Sequence, residues 1–353
     1  MDNKTTFSRF IALAATVFVL STQTQGQVVL YGLTARGGTN NVGTVFSVTP
    51  SGNLVTIANL NSTYAAAPYG SLLYASDGNF YASSIAGGYG DSCTIFSCSP
   101  TGTLRIMINL DSVWGSSDPT GNSLIQALDG NLYGMTTISD STFGVIFKLK
   151  LSGQYYSIHT FSGFDGAYPY GSLIQTKDSM LWGMTSAGGG GLGNIFKCTT
   201  TGKCTSVFSF DSLDGINPYG DLLLANDGNF YGITSAGGRY GYGTLFRYDS
   251  LGLFTKLFDF DSINGRNPCG SLIQASDNNL YGLCLRGGDS GYGTLFSCTL
   301  FGSLTTLVSF NNNNGANPYG TLIQASDGYL YGMTTNGGTY NYGTIFQCLC
   351  QVL

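Results

Sequence analysis

Six aspartates recur along this chain at intervals close to fifty residues: Asp77, Asp129, Asp178, Asp227, Asp277 and Asp327. A pair of carboxylates flanking a glycosidic bond is all that hydrolysis of a sugar chain needs, so an aspartate-based hydrolase or lyase acting on extracellular polysaccharide is one chemistry open to the sequence. Most other chemistries lack their parts. The chain has one histidine, His159, no glutamate among its 19 acidic residues and no Cys-x-x-Cys, which leaves the usual zinc, copper and nucleophilic-triad arrangements incomplete. Neither a metal nor another cofactor is expected, and no catalytic residue is assigned. The simpler role for the six aspartates is to build turns, since four of them precede glycine in Asp-Gly pairs. Segments such as Asp211-Ser-Leu-Asp214-Gly-Ile-Asn217-Pro218 cluster oxygen atoms without the regular spacing of a calcium loop, and read as self-capped loops. His159 shares its place in the repeat with Ala58, Ile108, Phe208, Phe258 and Val308, which marks it as a packed or hydrogen-bonded core residue.

A second set of residues suits binding better than catalysis. Arg36, Tyr89, Arg239, Tyr240, Tyr242, Arg286, Tyr292, Tyr340 and Tyr342, with Asp289, fall in glycine-rich stretches where the repeat varies most. Tyrosine offers a flat apolar face with a polar tip at little entropic cost, which fits stacking on sugar rings, while Arg, Asn and Asp hydrogen-bond at the ring edge. The competing role is packing between neighbouring repeats.

The elements that must carry these residues are legible from a period. Tyr31, Tyr81, Tyr133, Trp182, Tyr231, Tyr281 and Tyr331 lie close to fifty apart, and the same phrase surrounds each. Four short strands fit each unit. In the last one, strand A is expected over 321–325, a Ser-Asp-Gly turn follows, strand B spans 330–335 and strand C 342–348; 304–310 is a strand D. Composition agrees, with 52 Gly, 23 Tyr and 22 Phe in 353 residues. Four antiparallel strands per fifty residues, with a Gly-Gly pair after strand B, imply an all-β chain in which kelch-like blades close into a β-propeller. Seven blades is the expectation and six the alternative, in which the first strand D would complete the last blade. The A–B and C–D turns then share one end of the propeller. The longer B–C and D–A loops, with the candidate binding residues, share the other.

Charged residues are only 9% of the chain and the net charge is −5, which disfavours nucleic acid and anionic membranes as partners. Residues 1–26 have the layout of a secretory signal peptide: Lys4 and Arg9, an apolar run from Phe10 to Leu20, and a polar stretch ending at Gly26. Residues 27–353 are then expected to form one exported propeller domain, with no membrane span in the mature chain. Export permits disulfides. Cys198 and Cys204 flank a tight turn and should face each other; Cys269 and Cys284, which replace Tyr and Thr of the repeat in one unit, suggest a second bridge. Cys98 and Cys298 stand at positions held elsewhere by Val48 and Leu149, and read as core fillers.

The run Gly-Thr-Leu-Ile-Gln-Ala-Ser-Asp-Gly-Tyr-Leu-Tyr-Gly-Met-Thr (320–334), then Gly337-Gly338, then Tyr-Gly-Thr-Ile-Phe (342–346) resembles the Gloeo-Verruco type of choice-of-anchor tandem repeat, with copies across residues 30–348. That resemblance implies an exported, propeller-like repeat protein, often tethered by a sorting tail, and carries over no catalytic residue. Several copies drift: Cys93 replaces the glycine before Thr94, Ser179 the turn glycine, and Ala82 the glycine after Tyr81. Residues and resemblance together lead to a non-enzymatic propeller binding an extracellular protein or glycan through its B–C and D–A loops. The polysaccharide hydrolase or lyase is one alternative, and a structural component of the cell surface or matrix is another.

Overall fold

The computed structural model describes residues 28–88, 93–110, 123–137 and 142–349. Within them the chain forms seven antiparallel sheets and no helix, arranged as the blades of a seven-bladed β-propeller. The first blade contains strands Leu30–Thr34, Thr44–Val48 and Leu54–Asn59. The sixth shows a complete unit: Arg266–Gln274 innermost, then Leu280–Arg286, Thr294–Cys298 and Leu304–Ser309 outermost. The ring closes by packing of the first blade on the seventh, where Leu30, Phe46 and Val48 meet Ala325 and Tyr331. That contact settles the count at seven rather than six.

Three features of the repeat explain why the sheets form and stack. Inside six of the seven sheets, a glycine of the second strand lies opposite the strand-C phenylalanine, as in Gly32–Phe46, Gly232–Phe246 and Gly332–Phe346, and in the second sheet Ala82 takes its place. A Cβ on Gly232 would come within 2.4 Å of the Phe246 ring, so the glycine makes room for a fully buried aromatic across the strand. Burying such a ring contributes about 1.5–3 kcal/mol. Between sheets, five of the prolines ahead of the inner strands pack on the glycine before strand C of the previous blade, among them Pro169 on Gly144, Pro268 on Gly243 and Pro318 on Gly293. On the outside, the C–D turn glycines Gly102, Gly202 and Gly302 press against backbone carbonyls of Ile57, Ile158 and Leu257 in the preceding blade.

The turn aspartates complete the scheme. Tyr81, Tyr133, Tyr231, Tyr281 and Tyr331 are all but fully buried, and each hydroxyl donates to the carboxylate four residues before it at 2.7–2.8 Å. The same aspartates cap their own turns, as where Asn79 N–H donates to Asp77 Oδ1 at 3.1 Å. Copies that break the pattern leave a trace. Trp182 stands in the tyrosine column of the fourth blade, and Val145 replaces the strand-C threonine of the third; among the described residues neither the buried Trp182 indole N–H nor the buried Thr136 hydroxyl opposite Val145 has a hydrogen-bond partner. In the first, fifth and seventh blades the equivalent hydroxyls pair at 2.9 Å: Thr34 with Thr44, Thr234 with Thr244, Thr334 with Thr344.

Two expectations need correction. Strand A begins earlier than the turn-based reading places it. In the seventh blade it includes Ala316–Pro318 as well as Ile323–Gln324, and in the second and sixth it runs unbroken from Ala66 and Arg266 through Pro68-Tyr69-Gly70 and Pro268-Cys269-Gly270, so the inner strands take in residues that the turn-based reading left to loops. The second correction concerns cysteines. Cys198 and Cys204 pair across their turn and are bridged. Cys269 and Cys284 are free, buried thiols. A register shift between Cys269 and Ile273 sets Cys269 opposite Leu283 and Cys284 opposite Pro268, so the two thiols belong to opposite faces of the sheet.

Candidate functional site

The inner strands of six blades converge on the propeller axis, and there they enclose a cavity of about 560 Å³. Its wall includes Gly70 and Ser71, Ser123, Tyr170, Tyr219 to Asp221, Asn267 to Ser271 and Tyr319 to Thr321. These are the starts of the inner strands. Ser235, Leu285 and Arg286 join them from the ends of second strands, so the cavity lies at the end of the channel where the B–C and D–A loops emerge. The volume is in the range of small-molecule pockets.

A hydrogen-bonded belt holds the wall. Ser71 N–H donates to Ser123 Oγ (2.7 Å), Ser123 N–H to Ser172 Oγ (3.1 Å), Ser172 N–H to Asp221 Oδ1, and Asp221 N–H to Ser271 Oγ (3.2 Å). Each bond crosses from one blade to the next. Packing is equally tight: a Cβ on Gly171, Gly220 or Gly270 would strike the carbonyl oxygen of the equivalent glycine one blade on. Gly270 also has φ +70, in the left-handed region that favours glycine. The belt fixes the backbone and leaves the neighbouring aromatic side chains as the variable lining. Tyr170 and Tyr219 meet edge to face at 4.8 Å, and Tyr219 is 42% exposed. In the sixth blade a cysteine, Cys269, takes the tyrosine's place, with its Sγ 3.3 Å from Pro318 O. Burial pushes that thiol up to about 12, so it stays protonated at neutral pH and is no nucleophile.

Among the sequence-derived binding candidates, only Arg286 lines this cavity. The others spread around the same end. Arg36 occupies the matching position at the exit of its strand in the first blade and is exposed. Arg239 N–H donates to Asp259 Oδ1 at 2.7 Å, and its guanidinium lies 5.4 Å from the Tyr240 ring centre. Tyr242 packs into the core between the fifth and sixth blades, under the guanidinium of Arg266 at 6.0 Å; this tyrosine takes the packing role. Tyr240, Tyr292, Tyr340 and Tyr342 are 42–54% exposed on three loops, the last two sharing one. Asp289 lines a shallower cleft with Arg266, and Tyr89 lies outside the described residues. The channel tyrosines Tyr170, Tyr219 and Tyr319 were missed because the Pro-Tyr-Gly triplet was read as a loop. The belt residues that follow them went unnoticed for the same reason.

The polar groups considered for chemistry have structural partners. His159 Nε2 is 2.9 Å from Asp165 Oδ2 and its ring stands edge-on to Phe161. Burial alone would raise the Asp165 pKa, but bonds from the Ser162 N–H and hydroxyl, with His159 beside them, outweigh it and lower it. Asp211 and Asp261 accept two backbone N–H bonds each from their own loops, which is the capping role. Among the described residues, no three His, Cys or Asp side chains converge as metal ligands, and no helix is long and apolar enough to cross a membrane.

Fold and site thus define a repeat-built β-propeller with a ligand-sized cavity at one end of its axis. The Gloeobacter/Verrucomicrobia repeat matches residues 14–137, 110–276 and 190–351, and the chain belongs to that family. No curated protein sequence matches it. Among solved structures, it is similar to the BP39L lectin from Burkholderia pseudomallei, at 8% identity over 96% of this chain and 97% of that one, with a TM-score of 0.67. It is also similar to a gluconolactonase from Xanthomonas campestris, at 11% identity over 97% of each chain, with a TM-score of 0.50. At such identities the likeness is one of fold.

Proposed function

We propose that this chain is an exported, non-catalytic β-propeller that binds carbohydrate at the loop-bearing end of its central channel. One observation carries the reading: the cavity combines tyrosine side chains with hydroxyl and amide groups from several blades, the pairing of flat apolar faces and hydrogen-bonding edges that sugars require. The likeness to a lectin of the same architecture supports it. The leader-like composition of residues 1–26 supports export.

The hydrolase alternative needs two converging carboxylates. Asp221 is the one carboxylate on the cavity wall among the described residues, and its Oδ1 already accepts the Ser172 N–H. The turn aspartates are engaged with buried tyrosines at the opposite end. A glycan array probed with the purified chain, followed by chromatography of the bound sugars, tests the reading. Saturable binding with sugars recovered intact is expected; shortened sugars would place the protein among hydrolases or lyases, and an array without signal would leave a structural role.

A further inference from the structure

The sixth blade departs from the repeat twice, and both departures face the cavity. First, Cys269 stands where the second, fourth, fifth and seventh blades have Tyr69, Tyr170, Tyr219 and Tyr319. Of the five described Pro-x-Gly triplets only that of the sixth blade lacks a tyrosine, and the residues around it, Asn267 to Ser271, form the longest unbroken stretch of the cavity wall. Second, Arg286 faces Arg266 across the first two strands of the blade. The matching pairs elsewhere are Ala66–Ala86, Ala167–Ala187, Ile216–Ala236 and Ala316–Asn336. Small or neutral residues therefore satisfy the fold at this position. Two like charges directly opposite each other destabilise a sheet by a fraction of a kcal/mol, roughly 0.2–1.

No described carboxylate forms an ion pair with either arginine. Arg266 lays its guanidinium over Tyr242, and its Nε is buried without a hydrogen-bond partner. Arg286 is exposed on the cavity wall, and its guanidinium makes no hydrogen bond with described residues. Arginine binds a carboxylate through two parallel N–H bonds, a geometry that lysine and neutral side chains cannot match. On the same wall, hydroxyls of Ser271 and Thr321 and the free Oδ2 of Asp221 offer partners for sugar hydroxyls.

We infer that the cavity takes a carboxylate-bearing sugar, its carboxylate on the Arg286 guanidinium, its ring against Tyr219, and its bulk in the space left where Cys269 replaces a tyrosine. This rests on the carbohydrate reading above and narrows it to an anionic class. Hexuronates and sialic acids share that chemistry, and both belong in the test.

The purified chain is titrated with neutral oligosaccharides, hexuronate oligosaccharides and sialylated glycans, alongside Arg286→Gln, Cys269→Tyr and, as a charge control on the opposite end, Lys203→Gln. Binding to a hexuronate or a sialylated glycan, weakened about ten- to a hundredfold by Arg286→Gln and unchanged by Lys203→Gln, is the expected result and identifies which source of the carboxylate is preferred. Arg286 is exposed and its removal relieves a like-charge pair, so this variant should melt at or slightly above the parent and its binding loss can be read directly. Cys269→Tyr, if it melts with the parent, should abolish binding by restoring the missing ring. Preference for neutral sugars, or acidic-sugar binding indifferent to Arg286→Gln, overturns the inference while leaving the carbohydrate reading intact. Absence of binding to every sugar overturns both.

Discussion

The two ends of this propeller are made by the same repeat and treat its side chains in opposite ways. At the end bearing the A–B turns, five blades place a buried tyrosine hydroxyl on an aspartate at nearly the same distance, and the fourth, with Trp182, leaves an indole N–H without a hydrogen-bond partner among the described residues. At the other end the middle residue of the Pro-x-Gly triplet is tyrosine in four copies, cysteine in one and threonine in one, and the exit of the second strand holds Arg, Ala, Asn or Ile. Uniformity marks what every sheet needs in order to fold; variation marks where the fold makes no demand and a ligand can. Within one chain, the repeats act as internal controls for one another.

The contrast breaks most sharply at the outer turns. Gly202→Ala would put a methyl group against the Ile158 carbonyl oxygen at φ +91, and is expected to destabilise the protein by about 2–4 kcal/mol in a denaturant titration. A loss below about 0.5 kcal/mol would mean that blades are free to shift relative to one another. Tyr281→Phe is next. It removes the 2.7 Å bond to Asp277 in a fully buried site and should cost about 1–2 kcal/mol while leaving sugar binding unchanged.

Acid sharpens the same comparison. Burial pushes Asp77, Asp227 and Asp277 up, yet bonds from the tyrosine hydroxyl and the asparagine two residues on more than offset it and lower all three. Asp129 is held at about 2: burial again raises it, and Lys148, Asn131 and Tyr133 together overcome that effect. These folded values lie below the unfolded carboxylate value of about 3.9. The stability they contribute is therefore full above about pH 4 and is lost as pH falls toward about 2. Melting temperature followed from pH 5 to 2 should drop through that interval, and the Asp129→Asn variant should drop less steeply. A flat profile would show that the turn carboxylates do not support the fold.

Much of the architecture was legible because its signals are local. The Asp-Gly turns, the Gly-Gly pair and the tyrosine period fix strand number and direction, and the hairpin around residues 199–203 sets Cys198 opposite Cys204. The parts that eluded the sequence depend on register or on relations between blades. A bulge between Cys269 and Ile273 moves the cross-strand partner of Cys269 from where even counting from the turn would put it. The tyrosines of Pro-Tyr-Gly look like loop residues singly. They become a cavity wall only when inner strands from six blades are brought around one axis. Arg286 was found as an exposed loop-end arginine, but its pairing with Arg266 requires the sheet.

The most direct measurement compares Tyr219→Ala, on the channel wall, with Tyr240→Ala, on an exposed loop of the same blade, in titrations with whichever sugar the parent binds most tightly. Removal of the channel tyrosine is expected to raise Kd about tenfold or more, with the loop variant matching the parent. The reverse ranking would contradict a binding site in the channel and move it to the loops.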